Sequence, residues 1–446
     1  MKKILSQKPG IIIKHLLFLI LFVVLFFRSP VFAQENNYTK YLQQNQSTIS
    51  IDSDNNLSIF DDAFYKNQVF LVSESHGYYK PQEVDFALFK QINKKTGVRY
   101  YLAEIDFSQA YYLNQYLNTG DESLLKRIYQ YWYKIEAQWG CKAGFAKWQK
   151  MYSYNKTLPA GKKIIVLGLD ETQDVNMNVK LLNELIKKTG YKKSTNRQLD
   201  SMAFFAATNF VNDSASLPFI QYAGRLDSII HKNPGEYEKL LKSAFFSVNY
   251  IIHNIASKKG RESKLFENFT TFYNQYNLAD EKIYGFMGRF HAMQDSINKV
   301  MPFAGMLKNS KFPLKDKIIS IPIFCIQSSA MIPTNYLPAI AQQAGTVFSK
   351  VNMVNDDSYV YQVNGIKLFE SFVPENAITI FKLNGESSPF NEGLNLVEST
   401  STMDKSFEWF GNKNAATTSY FQYAVIARNS DWAVPYGDNL SIKNNK

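Results

Sequence analysis

The chain has 446 residues, 45% hydrophobic and 15% aromatic, which is ample for a large core, and a 20% charged content that sets it apart from disordered chains. Its net charge is +11, yet the basic pairs Lys187-Lys188 and Lys192-Lys193 have a single tyrosine, Tyr191, between them rather than the repeated aromatics of a nucleic-acid surface and read as solvated helix faces, so no nucleic-acid partner is expected. The two cysteines, Cys141 and Cys325, form no CxxC and no zinc-knuckle spacing, and are read as separate buried thiols.

Residues 1–33 read as a signal peptide. Lys2, Lys3, Lys8 and Lys14 precede an apolar run from Leu16 to Phe27, and Val31-Phe32-Ala33 offers a small-x-small cleavage site. The run is shorter than the roughly 20 residues that span a bilayer. Cleavage after Ala33 is therefore expected, with no membrane anchor retained and export to a periplasm or beyond. Loss of Lys2, Lys3, Lys8, Lys14 and Arg28 leaves 45 basic residues against 39 acidic ones, a net charge of about +6. Residues 34–60 read as a polar, irregular lead-in.

From residue 61 onward, short apolar runs rich in Val, Ile, Leu, Tyr and Phe alternate with helical patterns. The runs are Val69–Ser73, Arg99–Ala103, Lys163–Leu169, Ile283–Met287, Ile318–Phe324 and Tyr423–Ala427. Between the first two, Gln82–Lys95 places Val84, Leu88, Phe89 and Ile92 at helical spacing, which makes a βαβ unit. Residues 175–280 carry helical patterns over Arg197–Val211, Glu236–Ala256 and Glu262–Tyr276, with Asn233-Pro234-Gly235 as a loop before the second. Tyr359–Val363 and Ala377–Lys382 alternate like strands and read as loops and an edge hairpin within 350–415. The expectation is an α/β fold: a mostly parallel central sheet flanked by helices, formed by 61–174 and 281–446, with 175–280 inserted as an all-helical cap.

In open parallel sheets, ligands bind at the carboxyl ends of the strands. Here those ends share a character. The first run ends Glu74-Ser75-His76, the second Glu104-Ile105-Asp106, the third Asp170-Glu171 and the fourth Arg289-Phe290-His291. Two of the four histidines beyond residue 33 thus fall on one expected rim, while His231 and His253 in the insertion read as a surface and a core histidine. Glu74, His76, Glu104 and His291 are expected within about 10 Å of one another, two strand spacings.

Such a set suits hydrolysis by water. A histidine accepts a proton at neutral pH, a carboxylate orients it, and a second histidine with an arginine, here Arg289, donates to a developing oxyanion. Asp106 and Asp170 are supporting candidates. The same Glu74, His76, Glu104 and His291 could instead ligate a divalent metal. No GxSxG, HExxH, P-loop or GxGxxG occurs, and the adjacent side chains of Ser75 and His76 diverge too far for a serine–histidine pair.

With those residues assembled, the chain resembles the erythromycin-esterase-like family, part of a wider grouping with haem-uptake lipoproteins and Tiki-type metalloproteases. The resemblance rests on "SESHG" (Ser73–Gly77), "YLAEIDFSQAYYLNQYL" (Tyr101–Leu117), "GLD" (Gly168–Asp170), "GFMGRFHAM" (Gly285–Met293), "FAGMLKNSKFPLKDKIISIPIF" (Phe303–Phe324) and "YFQYAVIARNSDWAVP" (Tyr420–Pro435). It implies an exported hydrolase of a small-molecule ester or lactone. His76 would be the general base, Glu74 and Glu104 would orient it or the water, and His291 would assist at the carbonyl or leaving group, with no cofactor. The single residue between Glu74 and His76 looks more like the haem-uptake and metalloprotease relatives. A metal-dependent peptidase or a haem-binding protein therefore stands as the alternative.

Overall fold

Val69–Glu74 and Ile318–Ile326 are apolar on both faces and buried along their whole length, the pattern of strands covered by helices on either side. In the computed structural model, which describes residues 37–437 apart from 52–56, 209, 212 and 343, they are neighbours in an eight-stranded sheet. The strands are β1 (Gln46–Thr48), β2 (Val69–Glu74), β3 (Tyr100–Ala103), β4 (Ile165–Gly168), β5 (Ile283–Gly288), β6 (Ile318–Ile326), β7 (Ala330–Pro333), β8 (Phe348–Val351), β9 (Tyr361–Val363), β10 (Ile378–Lys382), β11 (Ser399–Ser401) and β12 (Tyr423–Arg428). The central order is β1-β10-β12-β6-β2-β5-β3-β4. The pairs from β12 through to β4 are parallel, and β10 is antiparallel to both β12 and β1. The fold is α/β with a mostly parallel sheet, as the strand runs indicated.

Residue alternation along β2 divides the core. Phe70 and Val72 pack with Val84, Leu88 and Ile92 of the Lys80–Thr96 helix, whereas Val69 and Leu71 pack with Phe269 and Leu307 on the opposite face. The Lys80–Thr96 helix stops at Gly97, whose φ of 73° is a left-handed conformation that glycine adopts without Cβ strain. Between β4 and β5 the elements of regular structure are all helical, running from Val175–Lys188 to Arg261–Gln275. Asn254 and Asn268 tie these helices to the end of β4, donating to the carbonyls of Asp170 (3.3 Å) and Leu169 (2.7 Å).

Four expectations need correction. Tyr359–Val363 and Ala377–Lys382 do not pair with each other. β9 joins β11 in a separate ribbon, while β10 enters the main sheet beside β12. Alternation identifies a strand but not its partner. The lead-in is not irregular throughout: residues 37–44 are helical and β1 adds an edge strand, anchored by buried Tyr41, Leu42 and Ile49. The pattern over Glu236–Ala256 is two helices, Pro234–Leu241 and Phe245–Ala256, broken where Lys242 turns to a φ of 49°. A helix over Asp213–Lys232, with Pro218 inside it, was not anticipated. The signal-peptide expectation falls outside the described residues. Both cysteines are free buried thiols.

Candidate functional site

The four strand ends singled out in the sequence belong to adjacent strands. β2 and β5 sit at the centre, β3 and β4 lie to one side and β6 and β12 to the other, so the rim above β2, β5 and β3 is where the winding of the sheet reverses. Register places Glu74 opposite Gly288, and Ala103, which precedes Glu104, opposite Phe286.

His76 and His291 therefore approach each other across Gly288. A Cβ on that glycine would lie 3.2 Å from Glu104 Oε2, 3.4 Å from His76 Nε2 and 3.5 Å from His291 Cδ2. The backbone there has a φ of −57°, open to any residue, so glycine serves as space for the three side chains rather than as a turn.

His76 Nδ1 lies 3.2 Å from Glu74 Oε1. Glu74 is buried, and both its oxygens accept from the Gln82 amide at 3.0 Å, which fixes the carboxylate and through it the imidazole. That leaves Nε2, turned toward Gly288, as the nitrogen for a ligand. Burial opposes protonation of His76, but the Glu74 hydrogen bond and the charges of Glu104 and Glu74 outweigh it and raise its pKa. The Trp139 ring stands edge-on to the imidazole with centroids 5.1 Å apart.

His291 is held differently. Its Nε2 is 3.2 Å from Glu104 Oε1 and its Nδ1 is 2.7 Å from Glu262 Oε1, the latter an ion-pair contact rather than an aligned hydrogen bond. Burial again favours the neutral ring, yet the two carboxylates prevail and its pKa is pushed up to about 10. That shift favours the charged ring. Glu104 accepts from the Gly288 amide and from Arg261 Nη2 at 2.6 Å. Burial alone would raise its pKa. The charge and hydrogen bond of His291, backed by His76 and Arg261, hold it well below the usual carboxylate range.

Arg261 and Glu262 were not singled out in the sequence. "KKGRESK" reads as a solvated turn, and nothing in its composition marks a partner some 160 residues away in the chain. They open the Arg261–Gln275 helix directly after Gly260 and are the insertion's contribution to the rim. Arg261 also grips buried Asp170, with Nε to Oδ1 at 3.1 Å and Nη2 to Oδ2 at 2.6 Å, so Asp170 acts on the site through this arginine.

Two other candidates are placed elsewhere. Asp106 caps the Phe107–Thr119 helix in a reciprocal capping box and accepts from the amides of Gln173 and Asp174, both at 2.9 Å, and from Asn178. It organises the turns after β3 and β4. Arg289, expected to donate to an oxyanion, is committed to Asp356 (2.8 Å), reaches Tyr361 Oη at 3.3 Å and is stacked over Phe324 and Trp409. It forms a wall of the site.

Above Glu74, His76, Glu104, Gly288 and His291 opens a cavity of about 590 Å3. Its upper walls are apolar, from Ile332, Leu337, Val354, Val360, Phe407 and Trp409. Behind His76, toward the core, a second cavity of about 60 Å3 is bounded by Gln82, Trp132, Trp139 and Lys147, with room for ordered water.

The molecule is thus a doubly wound α/β protein whose rim joins a carboxylate-oriented histidine to a second histidine held between two carboxylates, at the base of an apolar cavity. No family model and no curated protein matches the sequence. Solved structures do match the fold. A Bacillus cereus protein superposes with a TM-score of 0.65 at 14% identity, covering 90% of this chain and 99% of its own. A histidine-to-asparagine mutant of the erythromycin esterase EreC, in its open conformation, gives 0.59 at 11% identity over 86% of this chain and 98% of that one. A succinoglycan biosynthesis protein gives 0.59 at 13% identity over 90% and 98%. At these identities the likeness establishes a shared fold.

Proposed function

We propose that this protein is a hydrolase of esters or lactones in which His76 activates water. The observation that carries the reading is the meeting of His76 Nε2, Glu104 and His291 around Gly288, at the floor of an apolar cavity. A water held between His76 Nε2 and the substrate carbonyl loses a proton to Nε2 as its oxygen bonds to the carbonyl carbon. Glu74 at Nδ1 stabilises the imidazolium that forms. His291 and Arg261 supply positive charge where the oxyanion develops. The intermediate collapses with cleavage of the carbon–oxygen bond, and the leaving alkoxide takes the proton back from His76. The erythromycin esterase among the structural neighbours is consistent with this chemistry. The apolar walls suit a substrate with a large apolar body.

The donor set does not suit a divalent metal. Glu104 Oε1 already faces two basic side chains, Arg261 at 2.6 Å and His291 at 3.2 Å. The apolar cavity favours one second reading, binding of an apolar ligand such as haem without chemistry.

The test is hydrolysis of a broad ester and lactone panel, macrolides included, with products read by mass spectrometry. His76→Gln is expected to lower turnover by roughly 10²–10⁴-fold while the circular dichroism spectrum is kept, and chelator is expected to leave turnover unchanged. Turnover that survives His76→Gln would reject the role of that residue. No turnover together with a Soret band on adding haemin would favour the binding reading.

A further inference from the structure

Away from the rim, three helices of the insertion bring together Asp227, His231, His253 and Glu267. Asp227 and His231 lie one turn apart on the Asp213–Lys232 helix, His253 projects from the Phe245–Ala256 helix and Glu267 from the Arg261–Gln275 helix. His253, expected in the core, is instead 35% exposed, and His231 is 57% exposed. From these residues we propose a divalent transition-metal site, of the class that takes Zn2+, with Asp227, His231 and His253 as its protein ligands.

The geometry is already close to what such an ion needs. Asp227 Oδ1 lies 3.1 Å from His253 Nδ1 and 3.3 Å from His231 Nδ1. Bonds of about 2.0–2.1 Å in a tetrahedral site put ligand atoms roughly 3.4 Å apart. One ligand atom from each of the three residues lies within 4.8 Å of the others, and His231 Nδ1, which now meets the backbone carbonyl of Asp227 at 2.9 Å, would exchange that contact for the ion. The two imidazole rings stand 5.5 Å apart, centre to centre.

A second feature points the same way. A metal-bound imidazole is normally held by a hydrogen bond from its other nitrogen to a carboxylate. If Nδ1 of His253 ligates, its Nε2 faces Glu267 Oε1 at 3.4 Å, and that carboxylate is itself anchored by Lys259 at 2.7 Å. Glu267 is thus a positioning residue for His253. Three protein ligands at an accessible surface leave a fourth position for water, and the ion would fasten the Asp213–Lys232 helix to the Phe245–Ala256 helix. Glu267 shares its helix with Arg261 and Glu262, so the clasp would also brace the element that reaches the rim.

The test is titration of metal-free full-length protein with Co2+, followed by its visible absorption and then by competition with Zn2+. One equivalent is expected to produce the intense band of a tetrahedral site and to raise Tm, and Zn2+ is expected to abolish the band. His231→Ala and His253→Gln should each weaken binding by at least about tenfold, and Glu267→Gln by less than either ligand change. His76→Gln should leave it intact, which keeps this site separate from the rim whatever the outcome there. Absence of a saturable band, or a band that persists in the His231→Ala, His253→Gln double variant, would overturn the proposal.

Discussion

In the proposed hydrolysis, His76 and His291 are the same side chain given opposite tasks by their neighbours. His76 has one carboxylate at Nδ1, which leaves Nε2 as the nitrogen that would take up and return a proton. His291 lies between Glu104 and Glu262, which hold it charged. A base works deprotonated, so kcat/KM should rise as pH passes through the pKa of His76, which is raised above the ordinary 6.5. An electrophile that must stay charged fails as pH rises through its own pKa, about 10 for His291. The profile should therefore be a bell displaced to the alkaline side. Glu262→Gln tests the second limb. It removes one of the two carboxylates that hold the proton on His291, so the alkaline limb should move to lower pH while the acid limb stays. A profile unchanged by Glu262→Gln would show that His291 is not the group titrating there.

At the scale of elements, the site is a consequence of where β5 lies. Placed between β2 and β3, it carries Gly288 to the point where the ends of all three strands converge. Because the φ of −57° suits alanine, Gly288→Ala should cost little backbone strain, yet its methyl would press on Glu104 Oε2 at 3.2 Å and fill the space up to His76 and His291. The expected result is a loss of turnover of roughly tenfold to a hundredfold, the range for displacements well under 1 Å to about 1 Å, with a near-native unfolding midpoint. Full activity in Gly288→Ala would mean that those side chains do not need their present spacing. The sheet and its rim were legible in the sequence because strands buried on both faces are continuous apolar runs, and a run that stops on Glu-Ser-His or Arg-Phe-His shows its end plainly. The partners of the rim residues were not legible. Arg261 and Glu262 stand at the start of an amphipathic helix among lysines, where charge is the normal state, and their meeting with Glu104 and His291 is decided by how that helix packs. Arg289 illustrates the converse: its position at a strand end was readable, but its commitment to Asp356 depends on a loop far along the chain. His253 was misplaced for a related reason, since helical spacing gives a face without saying what covers it.

Across the whole molecule, Glu104, Asp170, His291, Arg261 and Glu262 form one charge network that binds β3, β4 and the turn after β5 to the last helix of the insertion. Stability should therefore carry the titration of that network. For His291 the folded pKa, about 10, lies above the ordinary 6.5, so its contribution is fully present below pH 6.5 and is lost as pH rises toward 10. For Glu104 the folded pKa is depressed, so its contribution is present above the ordinary 4.5 and is lost as pH falls. Between those two windows the network is intact. In His291→Gln, the buried Glu104 keeps Arg261 and the Gly288 amide but loses its imidazolium, at a cost of about 3 kcal/mol at pH 6, the lower end for breaking a buried pair because two partners remain. That deficit should shrink as pH rises from 7 to 10, since the native protein is then losing the same interaction. Thermal unfolding of the two proteins across pH 5–10 measures this directly: converging curves are expected, whereas parallel curves would show that His291 holds no proton in the folded state beyond what it holds when unfolded.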